Sequence, residues 1–339
     1  MMSLTKIISC VLAIFMVIGF GTACSRSAAP STQRPNTDVS QAVAADEVIM
    51  SAEQERTPLA QTPLAQAPVA RELLMPMAPG VLVESNAKAV IDSSNTTDGY
   101  VMVKWITETT KQLRVQITGP SEVTYTYTLR PDGEFEVYPL SDGNGSYKVM
   151  ALEQIEGTRY AIAINVTIDV IMADAFAPFL RPNQFVNYNE NSRVIAKTAE
   201  LVAGSFELTD RIGAVYNFIV DNFSYDFHLA ETVKSGYLPN LDTVLERRMG
   251  ICFDYAAVMT AMLRSQGIPT RLVVGYAGDT YHAWVSVFSE ETGWVNAAVF
   301  FDGASWILMD PTFDSTFNST QALQNFIGDG SSYTERFLY

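Results

Sequence analysis

The residues of this chain best suited to covalent chemistry are a cysteine, a histidine and an aspartate in its C-terminal third. Cys252 comes directly before a segment, 254–266, in which Ala256, Met259 and Leu263 recur at helical spacing. A cysteine at a helix N-terminus lies among unpaired backbone N–H groups and at the positive end of the helix dipole, and both favour the thiolate. The sequence therefore predicts a nucleophile at Cys252.

The histidine and the aspartate fall at the ends of predicted strands. His282 lies among the first residues of a strand over 281–288, and Asp310 is the last ladder position of a strand that Pro311 ends, because proline lacks the N–H. A thiol, an imidazole and a carboxylate are the set needed for a nucleophile, its base and the group that orients the base. Cys252 alone is also consistent with a small buried hydrophobic residue, the commonest fate of a free cysteine.

The numbers of cysteines and histidines limit the candidates for the nucleophile and its base. The chain has three cysteines, two of which, Cys10 and Cys24, lie in the N-terminal targeting region, and it has two histidines. The second histidine, His228, is interpreted as a loop residue. Asp302 and Asp314 remain as alternative acids, although a turn and a surface position explain them more simply.

The motifs around these residues resemble one family. The resemblance rests on Phe223-Ser224-Tyr225-Asp226, the run 250–271 (GICFDYAAVMTAMLRSQGIPTR), Gly275-Tyr276, His282-Ala283-Trp284 and Asp310-Pro311-Thr312. Together they resemble the transglutaminase-like superfamily of papain-like cysteine enzymes. The resemblance implies a helix-plus-antiparallel-sheet domain with Cys252 as nucleophile, His282 as base and Asp310 as orienting acid. The segment 294–301 is predicted to be an extra hairpin arm between the strands of His282 and Asp310.

The same resemblance implies acyl transfer on an amide through a thioester. The substrate would be a protein or peptide that offers a glutamine side chain or a peptide amide. An amine would resolve the thioester by cross-linking and water would resolve it by hydrolysis, and the sequence leaves this choice open. Tyr225 and Trp284 are weak candidates for a second oxyanion donor, with core packing as the alternative for both.

Several further properties follow from composition. Two scattered histidines and one thiol do not make a usual zinc set, so neither a metal nor a cofactor is predicted. A net charge of −15, from 22 basic and 37 acidic residues, argues against a nucleic-acid partner. A catalytically silent binding module that uses the same cleft is the alternative function. The oligomeric state is left open.

The N-terminal region predicts export. The first 24 residues have the form of a signal peptide: Lys6 is followed by an apolar run over 7–20 and by Gly21-Thr22-Ala23-Cys24. The last four residues resemble a lipoprotein site, with Cys24 as the lipidated residue. Gly21 stands where such sites usually carry an aliphatic residue, so plain secretion is the alternative. The protein is thus expected to be lipid-anchored, with no other membrane attachment, on the outer face of a bacterial membrane, or secreted.

The predicted architecture is α+β. It comprises a signal peptide (1–24), a disordered Pro/Ala/Thr-rich linker (25–80), an immunoglobulin-like β-sandwich (85–178), a transglutaminase-like catalytic domain (186–325) and a C-terminal tail (326–339). Period-two alternation and turns rich in Gly, Pro, Asp and Asn predict six or seven short strands in the sandwich. Core helices are predicted over 194–202 and 209–220 and a short one over 241–248, with a loop over 229–239 that borders the cleft.

Overall fold

The structure is a computed structural model that describes residues 72–290, 293–296, 298–301, 306–309, 312 and 332–339. Several predictions fall on residues outside these ranges: the signal peptide with Cys10 and Cys24, most of the linker, and the three candidate acids Asp302, Asp310 and Asp314. Among the described residues, no helix is both long enough and apolar enough to cross a membrane.

Two four-stranded antiparallel sheets form the N-terminal half. The strands are β1 Val83–Ser85, β2 Ala89–Asp92, β3 Tyr100–Trp105, β4 Leu113–Thr118, β5 Thr124–Leu129, β6 Glu136–Pro139, β7 Gly145–Glu156 and β8 Arg159–Val170. One sheet has the order β1-β2-β3-β6 and the other has the order β5-β4-β7-β8. In β4, buried residues alternate with partly exposed ones, as the sequence period predicts for a half-buried strand.

A tyrosine corner supports the immunoglobulin-like assignment. Tyr147 lies near the start of β7, and its hydroxyl is 2.7 Å from the carbonyl oxygen of Gly143 and 3.3 Å from that of Leu140. The same hydroxyl accepts a hydrogen bond of 3.0 Å from the N–H of Asp142. A tyrosine that bonds back to the backbone just upstream is a hallmark of immunoglobulin-like sandwiches. The N-terminal region is thus all-β as predicted, and its immunoglobulin-like topology stays a prediction.

The C-terminal half combines helices with a second antiparallel sheet. Its elements are α1 Arg193–Leu201, α2 Leu208–Asn222, β9 Ser224–Tyr225, α3 Phe227–Thr232, α4 Leu241–Arg247, β10 Met249–Gly250, α5 Cys252–Ser265, β11 Thr270–Ala277, β12 Thr280–Ser289, β13 Gly293–Asn296, β14 Ala298–Phe301, β15 Trp306–Met309 and β16 Tyr333–Leu338. The main sheet has the order β13-β12-β11-β16. Helix α5 is buried almost all round because α1, α2 and α4 pack on one side of it and β11 and β12 on the other.

Three segments differ from the sequence prediction. The expected loop over 229–239 begins within α3, whose first turn is capped by Asp226 accepting from the N–H of Leu229 at 2.8 Å. The segment 294–301 is not a separate hairpin: β13 extends the main sheet beside β12, and β14 pairs with β15. Residues 333–338 of the expected tail form β16 against β11. Each difference depends on pairing between segments, which local periodicity does not encode.

The end of the chain joins the two halves. The ring of Tyr339 is 4.6 Å from that of Phe185, and it also packs edge-on against Tyr125 and Tyr127 of β5. The described residues accordingly belong to one compact unit.

A buried arginine fixes the C-terminal end of α5. The guanidinium of Arg264 donates to the carbonyl oxygens of Arg181 and Tyr339, both at 2.6 Å, and to that of Thr270 at 2.9 Å. Burial lowers the pKa of Arg264 to about 10. These three bonds tie the C-terminal end of the helix that carries Cys252 to the segment after β8, to the first residue of β11 and to the residue after β16.

Candidate active site

Cys252 is the first residue of α5. The preceding Ile251 has an extended backbone, as N-cap residues do, and so the first turn of the helix begins at the cysteine. The unpaired N–H groups of that turn and the helix dipole favour a negative charge there. Cys252 is 7% exposed, so little of its surface reaches solvent.

Gly250 permits the backbone before Cys252 to pass close to the first turn of α5. A methyl group added at Gly250 would lie 2.6 Å from the Cβ of Asp254 and 2.8 Å from its Oδ2. Such distances require something to shift, so the bend before the cysteine depends on a residue without a side chain.

Asp254 braces the start of α5. Its Oδ2 accepts a hydrogen bond of 2.9 Å from the N–H of Ile251, and its Oδ1 accepts one of 2.6 Å from the hydroxyl of Tyr237. Ile251 has no side-chain acceptor, so this is the carboxylate half of a capping box. Burial raises the pKa of Asp254, and the two hydrogen bonds oppose that rise. The sequence analysis missed this brace, whose only local signal is an acidic residue three positions after the N-cap.

Tyr225 lies beside Cys252. Strand β9 pairs in parallel with β10, so that Tyr225 is opposite Gly250, and the N–H of Asp226 donates to the carbonyl of Gly250 at 2.9 Å. Burial raises the pKa of Tyr225, the charge of Cys252 adds to the rise, and the backbone N–H of Cys252 opposes it by interacting with the phenol oxygen. A phenol at this position is adjacent to the sulfur and to the first N–H of the helix.

His282 is the third residue of β12 and pairs with Gly275 of β11. It is 4% exposed, and its ring stacks beside Trp284 at 6.2 Å between centroids. Trp284 packs edge-on against Tyr333 at 5.0 Å. Its Nε1 has no hydrogen-bond partner within the described part of the chain, and the indole is 1% exposed. The ring of Trp284 thus packs in a buried cluster, and its role as an oxyanion donor stays a prediction.

The two faces of β12 have different neighbours. Ala283, Val285 and Val287 belong to the same core as α5, whereas Trp284 belongs to a separate cluster with Tyr333. Strand alternation places His282 on the face of Trp284.

Tyr281 of β12 interacts electrostatically with Cys252. Burial raises the pKa of Tyr281 to about 12, with Tyr276 as the next contributor and Cys252 as a smaller one. Tyr225 and Tyr281 both pack against the core that contains Cys252, whereas strand alternation directs His282 to the opposite face of β12 from Tyr281. The roles of His282, of Tyr225 as an oxyanion donor and of Asp310 stay predictions.

The other histidine lies on the surface. His228 is exposed on α3, which agrees with its interpretation as a non-catalytic residue but puts it in a helix instead of a loop. Metal-ligand clusters are absent from the described ranges, in which no three or more His, Cys, Asp or Glu side chains are grouped to hold an ion.

A cysteine at the start of a buried helix that packs on an antiparallel sheet is the arrangement that the sequence motifs predict for a transglutaminase-like domain. Residues 195–311 match the model of the transglutaminase-like superfamily, and the chain carries a transglutaminase-like domain over that segment. The matched segment contains Cys252, His282 and Asp310.

Two curated proteins are similar to part of this chain. The uncharacterized protein YebA of Bacillus subtilis is 28% identical over 122 residues, which cover 30% of this chain and 17% of that protein. A protein-glutamine gamma-glutamyltransferase of Pseudomonas aeruginosa is 29% identical over 107 residues, which cover 27% of this chain and 14% of that protein. The chain thus spans about a sixth of the length of these relatives.

Among solved structures, the fold is similar to a protein provisionally named a cysteine protease from Cytophaga hutchinsonii. The TM-score is 0.36 at 15% identity, covering 71% of this chain and 83% of that one. Red sea bream transglutaminase has a TM-score of 0.27 at 14% identity, covering 67% of this chain and 53% of that one.

Proposed function

We propose that this protein is a cysteine-dependent acyl-transfer enzyme that acts on amide bonds of proteins or peptides. The observation that carries the proposal is the position of Cys252 as the first residue of the buried helix of a transglutaminase-like domain. Its proposed partners are His282 as the base and Asp310 as the group that orients the imidazole.

The proposed reaction has two halves. The sulfur of Cys252 attacks the amide carbonyl carbon as its proton passes to the imidazole of His282, and the C–N bond then breaks as the imidazolium returns the proton to the departing nitrogen. A thioester on Cys252 remains. Its carbonyl is then attacked by water or by an amine, which releases an acid or a new amide and restores the thiol.

The oxyanion of each half-reaction requires donors. The first backbone N–H groups of α5 are the proposed first donors to the oxyanion. The hydroxyl of Tyr225, beside Cys252, is the proposed second donor. Its raised pKa keeps this phenol protonated at neutral pH, so it is able to donate.

Glutamine side chains are the favoured acyl donor. The matched relative from Pseudomonas aeruginosa is named a protein-glutamine gamma-glutamyltransferase, and this supports a Gln carboxamide over a backbone amide. Hydrolysis of the same thioester is the second outcome, since both share the nucleophile and differ in whether the cleft admits water or an amine. The proposed location is outside the cytoplasm, with the chain anchored through a lipid on Cys24.

The first prediction tests the nucleophile and the base together. Cys252→Ala and His282→Ala should each reduce release of ammonia from a glutamine-containing peptide to background, because the first removes the sulfur and the second its base. His228→Ala is the matched control, since it removes the other histidine of the chain from the exposed helix α3. Turnover retained in Cys252→Ala, with an unfolding temperature like that of the wild type, contradicts the mechanism.

A labelled amine added to the same assay separates the two outcomes. Incorporation of the label into the peptide indicates transglutamination, and ammonia release without incorporation indicates hydrolysis. A catalytically silent module gives neither incorporation of the label nor release of ammonia. Its thiol would react with iodoacetamide only at pH values near the pKa of an ordinary cysteine and above.

A further inference from the structure

An exposed aromatic ring lies next to the candidate active site. Strand β9 places Tyr225 opposite Gly250, and the phenol oxygen of Tyr225 interacts with the backbone N–H of Cys252. The ring of Phe227, the first residue of α3, packs edge-on against that of Tyr225 at 5.1 Å between ring centroids. An aromatic surface therefore extends from the first turn of α5 to Phe227.

About half of Phe227 is open to solvent. Its side chain is 49% exposed, whereas Tyr225 is partly buried. Single exposed apolar side chains are common on protein surfaces and require no explanation by themselves. Phe227 differs because its ring packs against the tyrosine beside the candidate nucleophile. An apolar group that binds near Cys252 is therefore in a position to cover the exposed part of this ring.

The contacts of the preceding residue fix the position of Phe227. The N–H of Asp226 donates to the carbonyl oxygen of Gly250 at 2.9 Å, which ties the start of α3 to β10. The carboxylate of Asp226 accepts from the N–H of Leu229 at 2.8 Å and from the guanidinium of Arg247, on α4, at 3.3 Å. Because the backbone that carries the ring is held in advance, binding against the ring costs little additional ordering.

We infer that Phe227 is a specificity-determining residue that binds an aromatic side chain of the substrate beside the reacting amide. The separation of the rings of Phe227 and Tyr225, 5.1 Å, is shorter than two residues of an extended peptide at about 3.4 Å each. The substrate class is thus a peptide or protein segment with an aromatic residue within two positions of the reacting glutamine. Edge-on aromatic pairs gain more than their buried area alone provides.

The inference rests on the proposed function for the identity of the reacting group, but its test does not require amide turnover. Two thiol-directed probes, N-chloroacetyl-phenylalanine amide and N-chloroacetyl-alanine amide, are compared on the full-length protein. Both alkylate a thiolate with loss of chloride, and they differ only in the phenyl ring that the first one places beside the sulfur. Mass spectrometry of the peptide that carries Cys252 gives the rate for each probe and separates this residue from Cys10 and Cys24.

We expect the phenylalanine probe to modify Cys252 about tenfold faster than the alanine probe, since one apolar contact in a hydrophobic site discriminates by about that factor. Phe227→Ala should bring the ratio of the two rates close to one, and Phe227→Leu should retain part of it. The rate with iodoacetamide should stay unchanged in both variants, because that reagent carries no side chain to contact Phe227. A loss of structure around the sulfur would change the iodoacetamide rate as well.

Phe206→Ala is the matched control. Phe206 is 48% exposed, and it borders a cavity together with the segment 266–269 that follows α5. This segment lies about 20 Å from Cys252, at 1.5 Å for each residue of the helix. Phe206→Ala removes an equally exposed ring from the far end of α5 and should leave the ratio of rates intact.

Three results overturn the inference. Equal rates of the two probes on the parent protein do so even if Phe227→Ala fails to fold. A Cys252 that neither probe modifies does so because no ligand then reaches the sulfur beside this ring. A tenfold ratio that persists in folded Phe227→Ala assigns the preference to another residue.

The proposed function and this inference fail separately. A protein that prefers the phenylalanine probe through Phe227 but releases no ammonia from glutamine peptides keeps the aromatic site and loses the enzyme. An active protein that reacts equally with both probes keeps the enzyme and loses the site.

Discussion

A single buried carboxylate supports the start of the helix that carries Cys252. Asp254 has no exposed surface, and it holds both the N–H before Cys252 and the hydroxyl of Tyr237. Its ionised form is disfavoured by burial and favoured by these two bonds. The raised pKa shows that burial dominates. The start of α5 therefore depends on a group whose charge is costly to bury.

This cost predicts a pH dependence. A folded-state pKa above the ordinary value of 3.8 means that the folded protein binds the proton more tightly than the unfolded chain. The contribution of Asp254 to the free energy of unfolding is then fully present below pH 3.8 and falls as pH rises through the raised pKa. We expect wild type to lose stability relative to Asp254→Asn over that window, as measured by urea unfolding at a series of pH values.

A second variant checks the cause. Tyr237→Phe removes a hydrogen bond that lowers the pKa of Asp254, so the loss of stability should extend to higher pH. If the free energies of unfolding of wild type and Asp254→Asn change with pH in parallel, the carboxylate has the same pKa in the folded and unfolded states. That result would contradict the prediction.

At the scale of elements, the backbone of β16 passes close to that of β11 at Gly275. A methyl group added at Gly275 would overlap the backbone oxygen of Thr334 and would lie 2.8 Å from the Cη2 of Trp284. The backbone of β16 cannot rotate away as a side chain could. Gly275 thus permits the close approach of β16 at the register shift between Val274 and Gly275 and leaves room for the indole of Trp284.

Gly275→Ala should destabilise the protein by about 3 kcal/mol, at the upper end of overpacking costs, because a strand must move. Gly157→Ala is the control: it adds the same methyl group to the β7–β8 turn, where no atom lies within 4 Å, and it costs only left-handed backbone strain of about 1 kcal/mol. Chemical denaturation measures both. Equal losses for the two variants would contradict the close approach of β16 to β11.

At the scale of the whole molecule, the folded unit begins earlier than composition indicates. The predicted linker extends to residue 80, yet Met77 accepts a hydrogen bond of 2.6 Å from the side chain of Asn95 and donates one of 3.1 Å to the hydroxyl of Tyr100. The N–H of Gly80 donates to the carboxylate of Asp92 at 2.8 Å. Residues 77–80 are therefore part of the sandwich.

Truncation tests this boundary. A chain that starts at Glu72 should keep the unfolding temperature and the activity on soluble peptides of the chain that starts at Ser25. A chain that starts at Leu82 loses five hydrogen bonds that Met77, Gly80 and Val81 form with Asn95, Tyr100, Asp92 and Ser94, and it should be less stable by about 5 kcal/mol, at about 1 kcal/mol for each bond. Lower activity of the Glu72 chain would show that residues before 72 contribute to the domain.

The sequence alone determined the parts that depend on local chemistry. The helix of Cys252, the alternating strands of the sandwich and the strand of His282 follow from residue spacing, because side-chain periodicity reports which face of an element is buried. The transglutaminase-like domain was likewise predictable, since its motifs are contiguous runs of residues.

The tertiary structure decided what depends on pairing between distant segments. Periodicity did not indicate that β16 completes the sheet of β11, that β13 extends it beside β12, or that Tyr339 joins the sandwich to the helix of Cys252. Nor did it indicate the brace of Asp254 by Tyr237 or the stacking of Arg271 on Trp294. The physical reason is that hydrogen bonds and ring contacts between separated segments form only once the backbone has closed the intervening loops, and no local pattern records those partners.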